Sequence, residues 1–158
     1  MDQMISQDLK LVPMFWSANI NAGDDSDSVD MRGVKSATFL IMCATNTGAA
    51  GAILKLYSGV TDGSKATALT FNYKYGGAAV KATSADVFTA VASSAALQIA
   101  TATLAGRGLI IEINADQIPE GHRYLTIEIG AESDTGIWTI WGLLDPMFMD
   151  PSLDTVVG

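Results

Sequence analysis

The stretch ATFLIMCA, residues 37–44, decides the fold. In an extended chain Phe39, Ile41 and Cys43 fall on one face, and Leu40 and Met42 on the other. Both faces are apolar. Such a strand belongs in the interior of a sandwich or at an interface. The same period of two recurs on either side. In AILKLY, residues 52–57, Leu54 and Leu56 oppose Lys55. In LTFNYKY, residues 69–75, Leu69, Phe71, Tyr73 and Tyr75 alternate with Thr70, Asn72 and Lys74, which reads as one half-buried strand. LIIEINA, residues 109–115, sets Leu109, Ile111 and Ile113 against Ile110, Glu112 and Asn114. RYLTIEIG, residues 123–130, sets Leu125, Ile127 and Ile129 against Tyr124, Thr126 and Glu128. GIWTIWGLL, residues 136–144, is apolar on both faces through Ile137, Trp138, Ile140, Trp141 and Leu143.

Turn chemistry separates these runs: Arg32-Gly33, NTGAAG at 46–51, TDG at 61–63, YGG at 75–77, AGRG at 105–108, PEG at 119–121 and SDTG at 133–136. Short strands with frequent turns predict an all-β fold, an antiparallel β-sandwich or a barrel. Residues 83–106 carry Ser84 and Asp86 as candidate helix caps and many alanines. Val87, Thr89, Val91, Ile99, Thr101 and Thr103 are nevertheless β-branched at alternating positions, without charged pairs to support a helix surface. Strand–loop–strand is the better reading, with the break near residues 93–96.

The chain has 158 residues, a size that suits one domain with a core of its own. Half the residues are hydrophobic and 16% are charged, which argues against disorder. A net charge of -8 with nine basic residues disfavours nucleic acid and anionic membranes as partners, since phosphate neutralisation needs clustered Lys and Arg. Cys43 is the sole cysteine, so neither an intramolecular disulfide nor a cysteine-rich zinc site is available. MDQMISQDLK has no basic region followed by an apolar run, and no signal peptide is expected. The uncharged stretches 36–53 and 87–106 are too rich in Gly, Ala, Ser, Thr and Asn to span a bilayer.

Both ends are apolar and irregular. Residues 1–16, with Leu9, Leu11, Met14, Phe15 and Trp16 around Pro13, read as an extended N-terminal arm. Residues 17–146 read as the sandwich, and 147–158, with Met147, Phe148 and Met149 between two Asp-Pro steps, as a C-terminal tail. Apolar residues on such segments need something to pack on. Either the ends fold back on their own domain or they reach a neighbouring subunit.

Catalytic chemistry is hard to find. His122, the only histidine, sits in a turn, and no GxSxG, HExxH or GxxxxGK motif is present. Cys43 lies in an apolar strand, where a thiol is inert. Glu112 and Glu128 could face each other across neighbouring strands, but a glycosidase would need them in a cleft. The chain is expected not to be an enzyme and to need no cofactor. Asp24, Asp25 and Asp27 lie in an acidic loop that could wrap calcium. The EF-hand spacing fails, because the sixth residue from Asp25 is Asp30 and the twelfth is Ser36. A solvated loop is the stronger reading, and Val29-Asp30 reads as a short strand leading through Met31-Arg32-Gly33 into the 37–44 strand. Tyr73, Tyr75, Trp138 and Trp141 offer a third option, a sugar-stacking platform, against ordinary core packing.

Three stretches together resemble a family of tailed-bacteriophage structural proteins: SDSVDMRGVKSATFLI at 26–41, DVFTAVASSAALQIATATLAGRGLIIEINADQIPEGHRYLTIEIG at 86–130, and IWTIWGLLDPMF at 137–148. The family is that of capsid decoration, or cement, proteins. The resemblance implies a jelly-roll-like sandwich on the outer surface of the virion, frequently a homotrimer, that binds the major capsid protein and stabilises the head. It brings no catalytic residues. Leu9, Leu11, Met14, Phe15 and Trp16 are the expected contacts with capsid or sister subunits, followed by Met147, Phe148 and Met149. A carbohydrate-binding module that takes glycans, and a neck or tail structural protein, are the alternatives.

Overall fold

The computed structural model describes residues 9–17, 23–46, 52–79, 82–83, 85–99, 106–130 and 136–147. The 37–44 stretch lies inside the longest strand, β4 (Val34–Asn46). Before it come β1 (Lys10–Ser17), β2 (Asp24–Asp25) and β3 (Val29–Asp30). After it come β5 (Ala52–Gly59), β6 (Thr67–Leu69), β7 (Phe71–Tyr75), β8 (Ala92–Ser94), β9 (Leu97–Ile99), β10 (Gly108–Asn114), β11 (Tyr124–Gly130) and β12 (Gly136–Pro146), with one 3-10 turn at Ala115–Gln117.

The strands form two antiparallel sheets packed as a sandwich. Sheet A has the order β1-β12-β4-β10-β7-β8, and sheet B the order β2-β11-β5-β6, with β3 also on β11 and β9 also on β5. From β9 to β12 each successive strand crosses to the other sheet, as does the step from β4 to β5. This is jelly-roll connectivity, in which closely packed sheets leave only short edges. β7 and β8 widen sheet A beyond it.

Alternation along each strand builds the core. Phe39, Ile41 and Cys43 of β4 lie beside Trp138 and Ile140 of β12 and Leu109, Ile111 and Ile113 of β10, all buried. Leu54 and Leu56 of β5, with Leu125, Ile127 and Ile129 of β11, meet them from sheet B. Each such side chain, fully buried, contributes about 1.5–3 kcal/mol. The turn before β4 needs a positive φ. Gly33 supplies it at φ 71, and Val34 N donates to Met31 O at 3.0 Å.

Residues 24–31 run along one side of the sandwich. Ser26 N donates to Ile127 O at 2.8 Å and Met31 N to Arg123 O at 2.7 Å, which ties them to sheet B. Asp27 N donates to Met14 O at 3.0 Å, which reaches across to sheet A. Buried Asp30 binds the Arg123 guanidinium through two of its nitrogens and accepts from Arg32 N at 2.9 Å.

Two expectations need correction, and the strand–loop–strand reading of residues 83–106, whose break falls where expected, gains one detail. LTFNYKY is two strands and not one: Leu69 ends β6 in sheet B, Phe71 starts β7 in sheet A, and the chain changes sheets at Thr70. Both apolar residues still reach the core, because a crossing corner preserves the alternation. In residues 83–106 the break at 95–96 is likewise a change of sheet, from β8 to β9. Finally, the extended arm expected over 1–16 is a sheet strand from Lys10 onward. β1 pairs with β12 from Lys10 opposite Leu144 to Ser17 opposite Trp138, and buries Val12 and Met14. Gly142 of β12 makes this possible. A Cβ there would lie 3.1 Å from Met14 Sδ and 3.7 Å from the Phe39 ring.

Two stability predictions follow from β1. Deleting residues 1–16 should cost at least about 3 kcal/mol in urea denaturation, from the lost burial of Val12 and Met14. Gly142→Val should cost about 1–3 kcal/mol by overpacking the same contact, measured the same way.

Candidate functional site

The pairing that builds the core also fixes what faces solvent. Opposite residues of a ladder share a face. With Ile41 and Ile140 turned in, Leu40 and Met42 of β4 turn out beside Trp141 and Thr139 of β12. The rows extend on both sides. Pro13 of β1 lies opposite Trp141, and Ile110 of β10 opposite Leu40. Trp16 lies opposite Thr139, and Leu11 opposite Leu143. The outer face of sheet A therefore carries an apolar band across four strands. Trp16 is 78% exposed and Leu11 57%, while Leu40, Met42 and Trp141 are each 38% exposed. A contiguous exposed patch of several hundred Å² marks an interaction surface. Polar residues enter this face at Glu112 of β10, between Thr38 of β4 and Asn72 of β7, and at Lys74 opposite Ile110, and Ser93 Oγ donates to Asn72 Oδ1 at 2.7 Å.

The edge of this sheet is protected against strand addition. Pro13 lacks a backbone N–H, the β1–β12 register shifts between Pro13 and Phe15, and Met14 O is taken by Asp27 N. The β1 edge of sheet A is thus poorly suited to pairing with a further strand.

Sheet B has a different outer surface. Glu128 of β11 stands opposite both Lys55 of β5 and Asp25 of β2. Lys65 Nζ reaches over from the loop before β6, 2.7 Å from Glu128 Oε2 and 2.9 Å from Asp25 Oδ2, and lies 5.8 Å from the Tyr57 ring centre. Lys65 holds the Glu128 carboxyl below the usual glutamate range, and Glu128 and Asp25 push the Lys65 ammonium above the usual lysine range.

This arrangement bears on the aspartates singled out as a calcium loop. Asp25 takes Lys65, and Asp24 Oδ1 accepts from Asp25 N at 3.0 Å. Asp27 lies on the sheet A side, over β1. The three do not converge, and among the described residues no group of three or more His, Cys, Asp and Glu could hold a metal ion.

The remaining candidates are dispersed. Of the expected contact residues, Leu11 and Trp16 are on the apolar face and Leu9 and Phe15 are half-buried. Met14 is in the core and unavailable on the surface. Met147 is 53% exposed beside the Gly33 turn, whose carbonyl accepts its N–H at 2.8 Å. Phe148 and Met149 lie outside the described residues. The four-aromatic platform does not assemble. Trp138 is buried, Tyr73 and Tyr75 pack against the core, and only Trp141 faces out. Glu112 and Glu128 sit on different sheets. His122 Nδ1 lies 2.9 Å from Ser58 Oγ, but Ser58 is fully buried. The pair clasps the 119–123 turn to β5, beside Arg123 N donating to Gly59 O at 3.0 Å. Burial pushes the Cys43 thiol up to about 11, so it stays protonated at neutral pH. No described helix is long and apolar enough to cross a membrane.

Sequence reading missed Lys65. It lies 63 residues from Glu128 and 40 from Asp25, and nothing local in the sequence signals the contact. Its effect has a definite sign. The folded Glu128 pKa is lowered, so its contribution is complete above the ordinary glutamate range and is lost as pH falls through the lowered value. Lys65→Met should destabilise by about 0.5–1 kcal/mol at neutral pH. That difference should shrink in acid, as urea titrations of both proteins will show.

No family model, curated protein or solved structure matches this chain, and the functional reading rests on its own residues and surfaces.

Proposed function

We propose that this is a non-enzymatic structural protein of a bacteriophage particle. It decorates the outer surface of the head and stabilises it by binding across neighbouring major capsid subunits, with further contacts to copies of itself, as in a homotrimer. The observation that carries this reading is the apolar outer face of sheet A. A two-layer sandwich buries one side of each sheet, and here the other side of one sheet is also apolar. A third layer from another protein would complete it. The resemblance of residues 26–41, 86–130 and 137–148 to decoration proteins supplies the setting.

The energetics suit repetition. Each copy adds one contact, and many copies on one shell would oppose its opening together. The centre of the band, Leu40, Met42 and Trp141, is where contact energy concentrates, because central side chains are the most completely desolvated on docking. The acidic sheet B surface, with its Lys65 strap, would remain toward solvent.

Co-sedimentation with purified heads of the source phage tests this. The Leu40→Glu and Met42→Glu double variant should lose head binding by at least roughly tenfold. Its melting should stay close to that of the parent, since both side chains point outward. Undiminished binding by a folded variant would sink the proposal. Labelled particles imaged by electron microscopy separate a head protein, spread over the shell, from a neck or tail protein, confined to one vertex.

A further inference from the structure

A cleft of about 270 Å³ opens at the β1 side of the apolar face, where the β1 register shifts. Trp16 and Trp141 border it, with Pro13, Phe15 and Thr139 also lining it and Asp27 at its rim. It is smaller than the cavities that hold drug-sized ligands and is of side-chain size. Its only charged lining residue is Asp27. Asp25, Asp30, Glu128 and Asp145 all have cationic partners, whereas the Asp27 carboxylate has none among the described residues. Asp27 is placed there by the fold, because its N–H is fixed to Met14 O at 3.0 Å.

Two indoles beside one unpaired carboxylate select a particular chemistry. Indole faces attract cations more strongly than other aromatic rings do. A carboxylate at the mouth adds a charge-assisted hydrogen bond. A sugar would want several hydrogen-bonding groups, and the cleft has two polar side chains, Asp27 and Thr139. A guanidinium fits both features, because its plane stacks on an aromatic ring while its edge binds a carboxylate bidentately, and its stem is apolar. An ammonium offers no plane to stack. The protein's net charge of -8 favours approach of a basic surface.

We propose that this cleft is the anchor point of the docking face and receives an arginine side chain from the partner protein. This inference rests on the reading of the sheet A face as a docking surface and names the chemistry that the partner presents there. The arginine gives register and orientation, and the apolar band beside it gives area.

The probe is Nα-acetyl-arginine amide, with Nα-acetyl-citrulline amide as its uncharged isostere. Each is titrated into the full chain while the three indole N–H resonances are followed by NMR. The arginine amide should shift the Trp16 and Trp141 signals saturably and leave buried Trp138 unmoved. The citrulline amide should bind at least roughly fivefold more weakly, since it stacks but carries no charge. Asp27→Asn keeps the backbone bond to Met14 and should reduce arginine binding to the citrulline level, whereas Asp116→Asn, at an exposed turn, should change nothing. The Trp138 signal reports whether each variant is folded. Equal binding of the two probes, binding unaffected by Asp27→Asn, or no saturable shift at the two exposed indoles would each overturn the inference. Those outcomes are separable from failure of the functional reading, because Leu40 and Met42 do not line the cleft. Heads that release the Leu40→Glu, Met42→Glu variant while the arginine probe fails would leave a docking face without this anchor.

Discussion

The β4–β12 ladder is the constraint on which the rest of the molecule depends. It runs from Gly136 opposite Asn46 to Pro146 opposite Val34, with two register shifts, and joins the longest strand to the next longest. A period of two leaves no freedom once the register is set. Placing Phe39, Ile41, Trp138 and Ile140 in the core obliges Leu40, Met42, Thr139 and Trp141 to face out. The apolar surface is therefore inseparable from the core. A one-residue slip would exchange the two sets, but it would bring Thr139 and Gly142's neighbours inward and disturb the seat of Met14. The structure keeps the register that fills the interior with the larger set and turns the smaller one outward.

β1 extends this logic to the edge. It covers β12 on the side away from β4, and Gly142 leaves room for Met14 between the strands and the Phe39 ring. An uncovered β12 would be a long, flat, apolar edge of the kind that templates aggregation. The edge that β1 presents instead is interrupted by Pro13, by the register shift and by the Asp27 bond. Sheet A thus combines a guarded edge with an open apolar face. That combination disfavours addition of a strand at the β1 edge.

The acidic run INAGDDSDSVDMRG illustrates how one stretch divides among unrelated tasks. Asp25 joins the Lys65 strap on sheet B, Asp27 bonds to β1 of sheet A, and Asp30 is buried on Arg123. Ser26 and Ser28 between them turn inward, and Ser28 Oγ lies 2.7 Å from Thr126 Oγ1. Asp25 and Asp27 share the outward side of the extended chain, but the backbone is bonded to sheet B at Ser26 and to β1 of sheet A at Asp27, while Asp30 turns inward, which is why they do not gather into one cage. The two sheet surfaces consequently differ in character: sheet B is charged and strapped, while sheet A carries the apolar band, with Asp27 at its β1 margin and Glu112 toward β7.

By itself the sequence determined the all-β class, the inward residues of β5, β10 and β11, the turn at Gly33, and the short strand at Val29-Asp30. These depend on a two-residue period and on backbone preferences, which act over a few positions and are visible in any window of the chain. It also flagged the apolar residues of both ends, but read them as an arm and a tail. Tertiary structure decided which sheet each strand joins, that the chain changes sheet at Thr70 and again at 95–96, and that residues 10–16 form a strand and not an arm. It also decided that Trp138 is buried while Trp141 is exposed, that Lys65 meets Glu128, and that Trp16, Trp141 and Asp27 share a cleft. Each of these depends on contacts between residues far apart in sequence, where the energy lies in packing and Coulomb attraction across the fold and leaves no local trace.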